Sequence, residues 1–156
     1  MLTIQKHECG FDGLVDHIGN AAVPTPDLIH QIITDACTRL PILKKSGKAT
    51  DIDQLIEAGA WCDAALALID IEIPAWSVRR LVREDGEWFC SLTRQPNVPV
   101  ALDDTADASH QALPLAILGA FLEARRKIIA ARDSATSVVP QVQPVSGNAI
   151  CCDNFA

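Results

Sequence analysis

The chain has no tyrosine, a single methionine and only 4% aromatic residues in 156 positions. Its core must therefore come mainly from aliphatic side chains, which dominate an apolar content of 49%. Long hydrophobic runs are also missing. The longest, residues 112–122, spans 11 positions and includes Pro114, against the ~18 needed to cross a bilayer. An integral membrane protein is not expected. The N-terminal stretch MLTIQKHECGFDG lacks the basic-then-apolar order of a signal peptide, so a cytoplasmic location is the expectation. No C-x-x-C pair occurs among the six cysteines, which excludes a zinc ribbon or a thioredoxin-like motif. There is no glycine-rich phosphate loop, P-loop lysine or dinucleotide fingerprint either.

What is present suits one globular domain. A chain of this length buries roughly 70% of the surface its unfolded form exposes, so neither metal nor disulfides are needed to hold it together. Cys37, Cys62 and Cys90 fall among apolar neighbours and are expected to be reduced core residues. The formal net charge is −7 and unevenly spread. Residues 49–78 contain no Lys or Arg, while Asp51, Asp53, Glu57, Asp63, Asp70 and Glu72 contribute −6, and residues 95–124 add −4. Positive charge gathers at Arg79, Arg80, Arg83 and Arg94, and again at Arg125, Arg126, Lys127 and Arg132. With an isoelectric point near 4.9, general nucleic-acid binding is disfavoured.

Three segments follow from periodicity. Residues 1–24, broken by Gly10, Gly13 and Gly19, are expected to be irregular apart from a short strand at residues 2–5. Residues 25–132 form the domain. Thr25-Pro26-Asp27 writes a helix start, with a capping hydroxyl, a proline at the first helical position and an acid near the positive end of the dipole. That helix is expected over residues 26–40, ended by Pro41. A second is expected over residues 51–71, with an inward seam of Leu55, Gly59, Cys62, Leu66, Ile69 and Ile73 and an outer row of Asp53, Glu57, Ala60, Ala64 and Ala67.

Residues 76–94 then change period. Two runs rich in Trp, Val, Leu and Phe flank Asp85-Gly86, the pair suited to a type I′ turn. A two-residue turn there pairs Glu84 with Glu87, Arg83 with Trp88, Val82 with Phe89, Leu81 with Cys90 and Arg80 with Ser91. Both hairpin faces carry apolar residues, so a helix above and a helix below are expected. A third strand is expected from residues 98–102 or from another molecule. A last helix over residues 114–132 presents Ile117, Leu118, Phe121, Leu122, Ile128 and Ile129 to the core, with Arg125 snorkelling outward and Gly119 facing water. Residues 133–156 have no period and are expected to be a disordered tail.

The fold class is therefore α+β: a helix–β-hairpin–helix α/β/α sandwich with an extra N-terminal helix. The segment DAALALIDIEIPAWSVRRLVREDGEWFCSL, followed by ALPLAILGAFLEAR, resembles the phage ABA-sandwich domain family. The features that carry the resemblance are Ala64 to Ile69, Pro74, Trp76, Gly86, Trp88, Pro114 and the run through Ala124 and Arg125. It implies an α/β/α sandwich of phage or prophage type and brings no catalytic residues.

Chemistry-bearing clusters are few. His7-Glu8-Cys9 with His17 nearby offers imidazole and thiolate, making His7, Cys9 and His17 the candidate metal ligands. Their spacing fits no established site, and a solvated N-terminus is the competing reading. Ser109-His110 with Asp103 and Asp104 lacks the glycines of a nucleophile elbow. No cofactor is expected. The chain reads as a non-catalytic, phage-like accessory protein acting by protein–protein interaction, with Arg79, Arg80 and Arg83 on the hairpin and Asp53 and Glu57 on the acidic helix as contact residues. The alternatives are an acidic mimic of nucleic acid, resting on the −6 block, and a small metal-binding protein. An unpaired strand edge at residues 76–83 makes a homodimer the expected oligomer.

Overall fold

The computed structural model describes residues 4–47 and 51–137, with side chains over residues 10–47 and 51–136. Six helices and a three-stranded antiparallel sheet follow in the order α1 (Ile4–Asn20), α2 (Pro26–Ala36), α3 (Arg39–Lys45), α4 (Asp51–Glu57), α5 (Trp61–Glu72), β1 (Ser77–Glu84), β2 (Glu87–Thr93), β3 (Ala106–His110) and α6 (Leu113–Ser137). The class is α+β, as expected.

The first correction is α1, which occupies the segment expected to be irregular. Phe11, Leu14 and Ile18 recur at helical spacing and are buried, whereas Gly10, Gly13 and Gly19 have open space where a side chain would stand. Each glycine costs the helix about 1 kcal/mol relative to alanine. Burial of the three apolar side chains, at about 1.5–3 kcal/mol each, outweighs it. Of the strand expected at residues 2–5, Ile4 and Gln5 belong instead to this helix, and residues 2 and 3 lie outside the described residues.

Two expected long helices are each broken. At the start of α2, Thr25 Oγ1 accepts the Leu28 amide at 3.3 Å and Pro26 stands at the first position, as expected. The helix closes at Ala36, and Pro41 falls in the first turn of α3, where proline is tolerated. Two buried charges hold this break. The Nε of Arg125 donates to Ala36 O at 2.9 Å, and Glu72 accepts the amides of Thr38 and Leu40. The second break lies at Gly59, whose φ of +70 ends α4 with Ala60 N bonded to Leu55 O at 2.8 Å. The turn rotates the inward face, so Ile52, Ile56, Ala64, Ala65 and Leu68 are buried, and of the expected seam only Ile69 and Ile73 are.

The hairpin matches expectation in detail. Asp85 and Gly86 have φ of 51 and 88, and the five expected pairs from Glu84–Glu87 to Arg80–Ser91 are all present. A bulge at Arg79 then shifts the register. The third strand is β3, paired to β2, while residues Val100–Leu102 form a 3₁₀ turn.

The layering differs from a helix on each face. Helix α6 packs along β2 and β3, and α1 and α5 pack on α6. Sheet on one side and helices on the other leave Leu115, Ala116, Ile117, Leu118, Ala120, Phe121, Leu122 and Ala124 buried nearly all round. The far end of the opposite sheet face is covered by residues 94–105, tied down by Arg79. Gly119 does not face water: a Cβ built on it would meet Ala108 Cβ at 2.9 Å. Gly119→Ala should therefore destabilise the fold by about 1–2 kcal/mol despite its better helix propensity. Chemical denaturation checks this, and Ala108→Gly in the same chain should relieve the crowding; a stabilised single variant would contradict the close approach. Helix α6 continues past the expected end at Arg132 to Ser137, and residues 138–156, most of the expected tail, lie outside the described residues.

Candidate functional site

Strand β1 is an edge strand, with β2 on one side and no strand on the other among the described residues. Because Glu84 and Glu87 close a two-residue turn, the alternating antiparallel pattern sends the backbone groups of Arg83 and Leu81 away from β2. The two side chains lie on the α6 face with Trp88 and Cys90, since Ala108, beneath α6, pairs with Cys90 and Cys90 with Leu81. Helix α6 does not cover β1, so Val78 and Leu81 remain 39% and 38% exposed. This is an apolar, unpaired edge rimmed by arginines.

The three hairpin arginines have different tasks. Arg79 is part of the fold: it donates to Asp103 Oδ2 at 2.7 Å and to the carbonyls of Val98 and Gln95. Asp103 also accepts from Thr93 Oγ1 at 2.5 Å, which fixes the loop over the sheet. Arg80 lies over the Phe89 ring at 5.7 Å and pairs with Glu84 at 2.7 Å. Arg83 lies over Trp88 at 5.8 Å on the other face. Both rings are thus shielded by guanidinium groups whose polar edges face water. Of the three, Arg80 and Arg83 are exposed for contacts.

The acidic block is divided by the fold. Asp53 is paired with Lys44 at 2.6 Å, and Glu72 is buried with its carboxylate taken by backbone amides. Asp51, Glu57, Asp63 and Asp70 remain exposed, split between two helices, which weakens the basis of the mimic reading. At the hairpin tip Glu84, Asp85, Glu87, Phe89, Ser109 and Gln111 line a shallow hollow of about 360 Å³. The Ser-His-Asp set is not assembled. Ser109 and His110 are consecutive on β3 and point to opposite faces. His110 Nδ1 accepts the Ala112 amide at 2.9 Å, Asp103 is held by Arg79, and Asp104 pairs with Lys127.

Of the candidate metal ligands, His17 donates from Nδ1 to Gln31 Oε1 at 3.2 Å. The side chains of His7 and Cys9 lie outside those described, and among the described residues no three potential ligands gather. Cys37 and Cys90 are buried free thiols and Cys62 is half-buried. Burial, with Glu72 nearby, pushes the Cys37 thiol up to about 12; burial, with Asp107, pushes Cys90 up to about 11. Both are protonated and poor nucleophiles at neutral pH.

What the residue pattern did not disclose is the gathering of Arg39, Arg94, Arg125 and Arg132 along one groove, because they come from three distant parts of the chain. The signal at hand was only the two basic clusters, and the fold draws members of both together. Among the described residues no helix is long and apolar enough to cross a membrane. Comparison with known proteins finds no family model, no curated protein and no solved structure that matches this chain.

Proposed function

We propose that the chain is a non-catalytic interaction protein, an accessory factor of phage or prophage type acting in the cytoplasm, and that it works as a homodimer joined through β1. The observation that carries this reading is the free β1 edge with Val78 and Leu81 exposed. A long, apolar, unpaired edge is a liability unless something pairs with it. The resemblance of residues 63–92 and 112–125 to the phage sandwich family supports the phage-type assignment.

Charge selects the register. A twofold axis through Val82 sets Leu81 opposite Arg83 of the partner, with both residues offering outward backbone groups, and brings Arg80 opposite the partner's Glu84. Centring the axis on Leu81 instead sets Arg83 against the partner's Arg79, a like-charge pair. The first register forms four backbone hydrogen bonds and extends the sheet to six strands.

Light scattering at micromolar concentration tests this. The expected mass is twice the 16.8 kDa of the chain, and Leu81→Lys, at an exposed position, should return it to the monomer without loss of helical signal. A mass of 16.8 kDa at every concentration removes the homodimer.

A further inference from the structure

The chain carries an excess of acid, yet one groove is strongly basic. Arg39 opens α3, Arg94 follows β2, and Arg125 and Arg132 stand two turns apart on one stripe of α6; with Trp76 and Glu72 they line a groove of about 490 Å³. That volume suits a small molecule. Five of the described cations, Lys44, Arg79, Arg80, Arg126 and Lys127, form ion pairs with carboxylates. Six do not, and four of those six are the arginines of this groove; of the others, Arg83 rests on Trp88.

Glu72 offsets one of these charges, but it pairs directly with none of the four arginines, because its oxygens accept from the backbone amides of Thr38 and Leu40. Arg125 is 6% exposed, and its one hydrogen bond among the described residues runs from Nε to Ala36 O. No described side-chain nitrogen or oxygen is both sealed from solvent and unpartnered, so the terminal guanidinium nitrogens of Arg125 open onto the groove. Four positive charges against one carboxylate leave an excess of three among the residues that line the groove.

We propose that this groove binds a phosphomonoester carried on an apolar or aromatic body. A carboxylate has one charge and two oxygens, which one or two guanidinium forks saturate. A phosphomonoester has a charge near −2 and three terminal oxygens, which several forks share. Ile128, Ala131 and Ala135 of α6, beside the arginines, receive the organic part, with the nearly buried Trp76 in the floor of the groove.

Titration of the full chain with phenyl phosphate at low ionic strength, followed by tryptophan fluorescence, tests the assignment. Saturable binding is expected, tighter than for inorganic phosphate or phthalate, and weakening with added salt. The double variant Arg94→Gln/Arg132→Gln, at two exposed positions, should weaken binding at least tenfold, while Lys45→Gln, at an exposed position outside both the groove and the β1 edge, leaves it unchanged. Three results overturn the proposal: no saturable binding, binding indifferent to the double variant, or phthalate or an acidic peptide binding the same arginines as tightly as phenyl phosphate. None of these outcomes depends on the oligomeric state, so the two readings fail separately.

Discussion

Phe121→Ala should lower the stability of the fold by about 3–5 kcal/mol, as truncation of a fully buried aromatic does when the surroundings cannot collapse. Phe121 is 0% exposed and sits in the first half of α6, the helix that has the sheet on one side and α1 and α5 on the other. Urea denaturation followed by circular dichroism reads the loss as a lower midpoint at unchanged slope. Val100→Ala, at a side chain 69% exposed, is the control and should shift stability by no more than about 0.5 kcal/mol. A loss below about 1 kcal/mol for Phe121→Ala would mean that α6 is not the centre of the core.

Local chemistry made some of this fold legible. Asp85-Gly86 dictates a two-residue turn, and the turn dictates every pair of the hairpin down to Arg80–Ser91; Thr25-Pro26 likewise marks the start of α2. What escaped depends on partners distant in sequence. Helix α1 is held by burial of Phe11, Leu14 and Ile18 against the rest of the domain, and its three glycines argue locally against it. Strand β3 is written ADASH, poor strand chemistry, and exists because β2 offers a ladder and α6 needs small residues beneath Gly119. The basic groove was invisible for the same reason: Arg39, Arg94 and Arg125 become neighbours only when α3, the end of β2 and α6 meet. Arg125 shows the limit of a helical-wheel argument. It was expected to snorkel outward, but the break after α2 presents Ala36 O, an orphan carbonyl at the negative end of a helix dipole, and a buried guanidinium satisfies it.

The counterpart on the other side of that break is Glu72, and Glu72→Ala should cost about 2–4 kcal/mol. Thr38 precedes α3 without offering a side-chain cap, and the helix is only 7 residues long. The amides at its start are met instead by a carboxylate from the end of α5, with Oε2 accepting from Thr38 N at 3.1 Å and Oε1 from Leu40 N at 2.5 Å. Alanine would leave the Leu40 amide buried without a partner and withdraw negative charge from the positive end of the helix. Glu72→Gln keeps one acceptor oxygen but turns an NH₂ group toward the second amide, so it should recover only part of the loss. Denaturation separates the two variants, and hydrogen exchange at Leu40 locates the damage, with early loss of protection over α3 ahead of global unfolding. Because Glu72 is also the one carboxylate among the groove arginines, Glu72→Gln should bind phenyl phosphate more tightly while being less stable. A variant as stable as the parent, with Leu40 still protected, would show that α3 is held by packing of its buried Leu40 alone and not by the carboxylate that reaches it from α5.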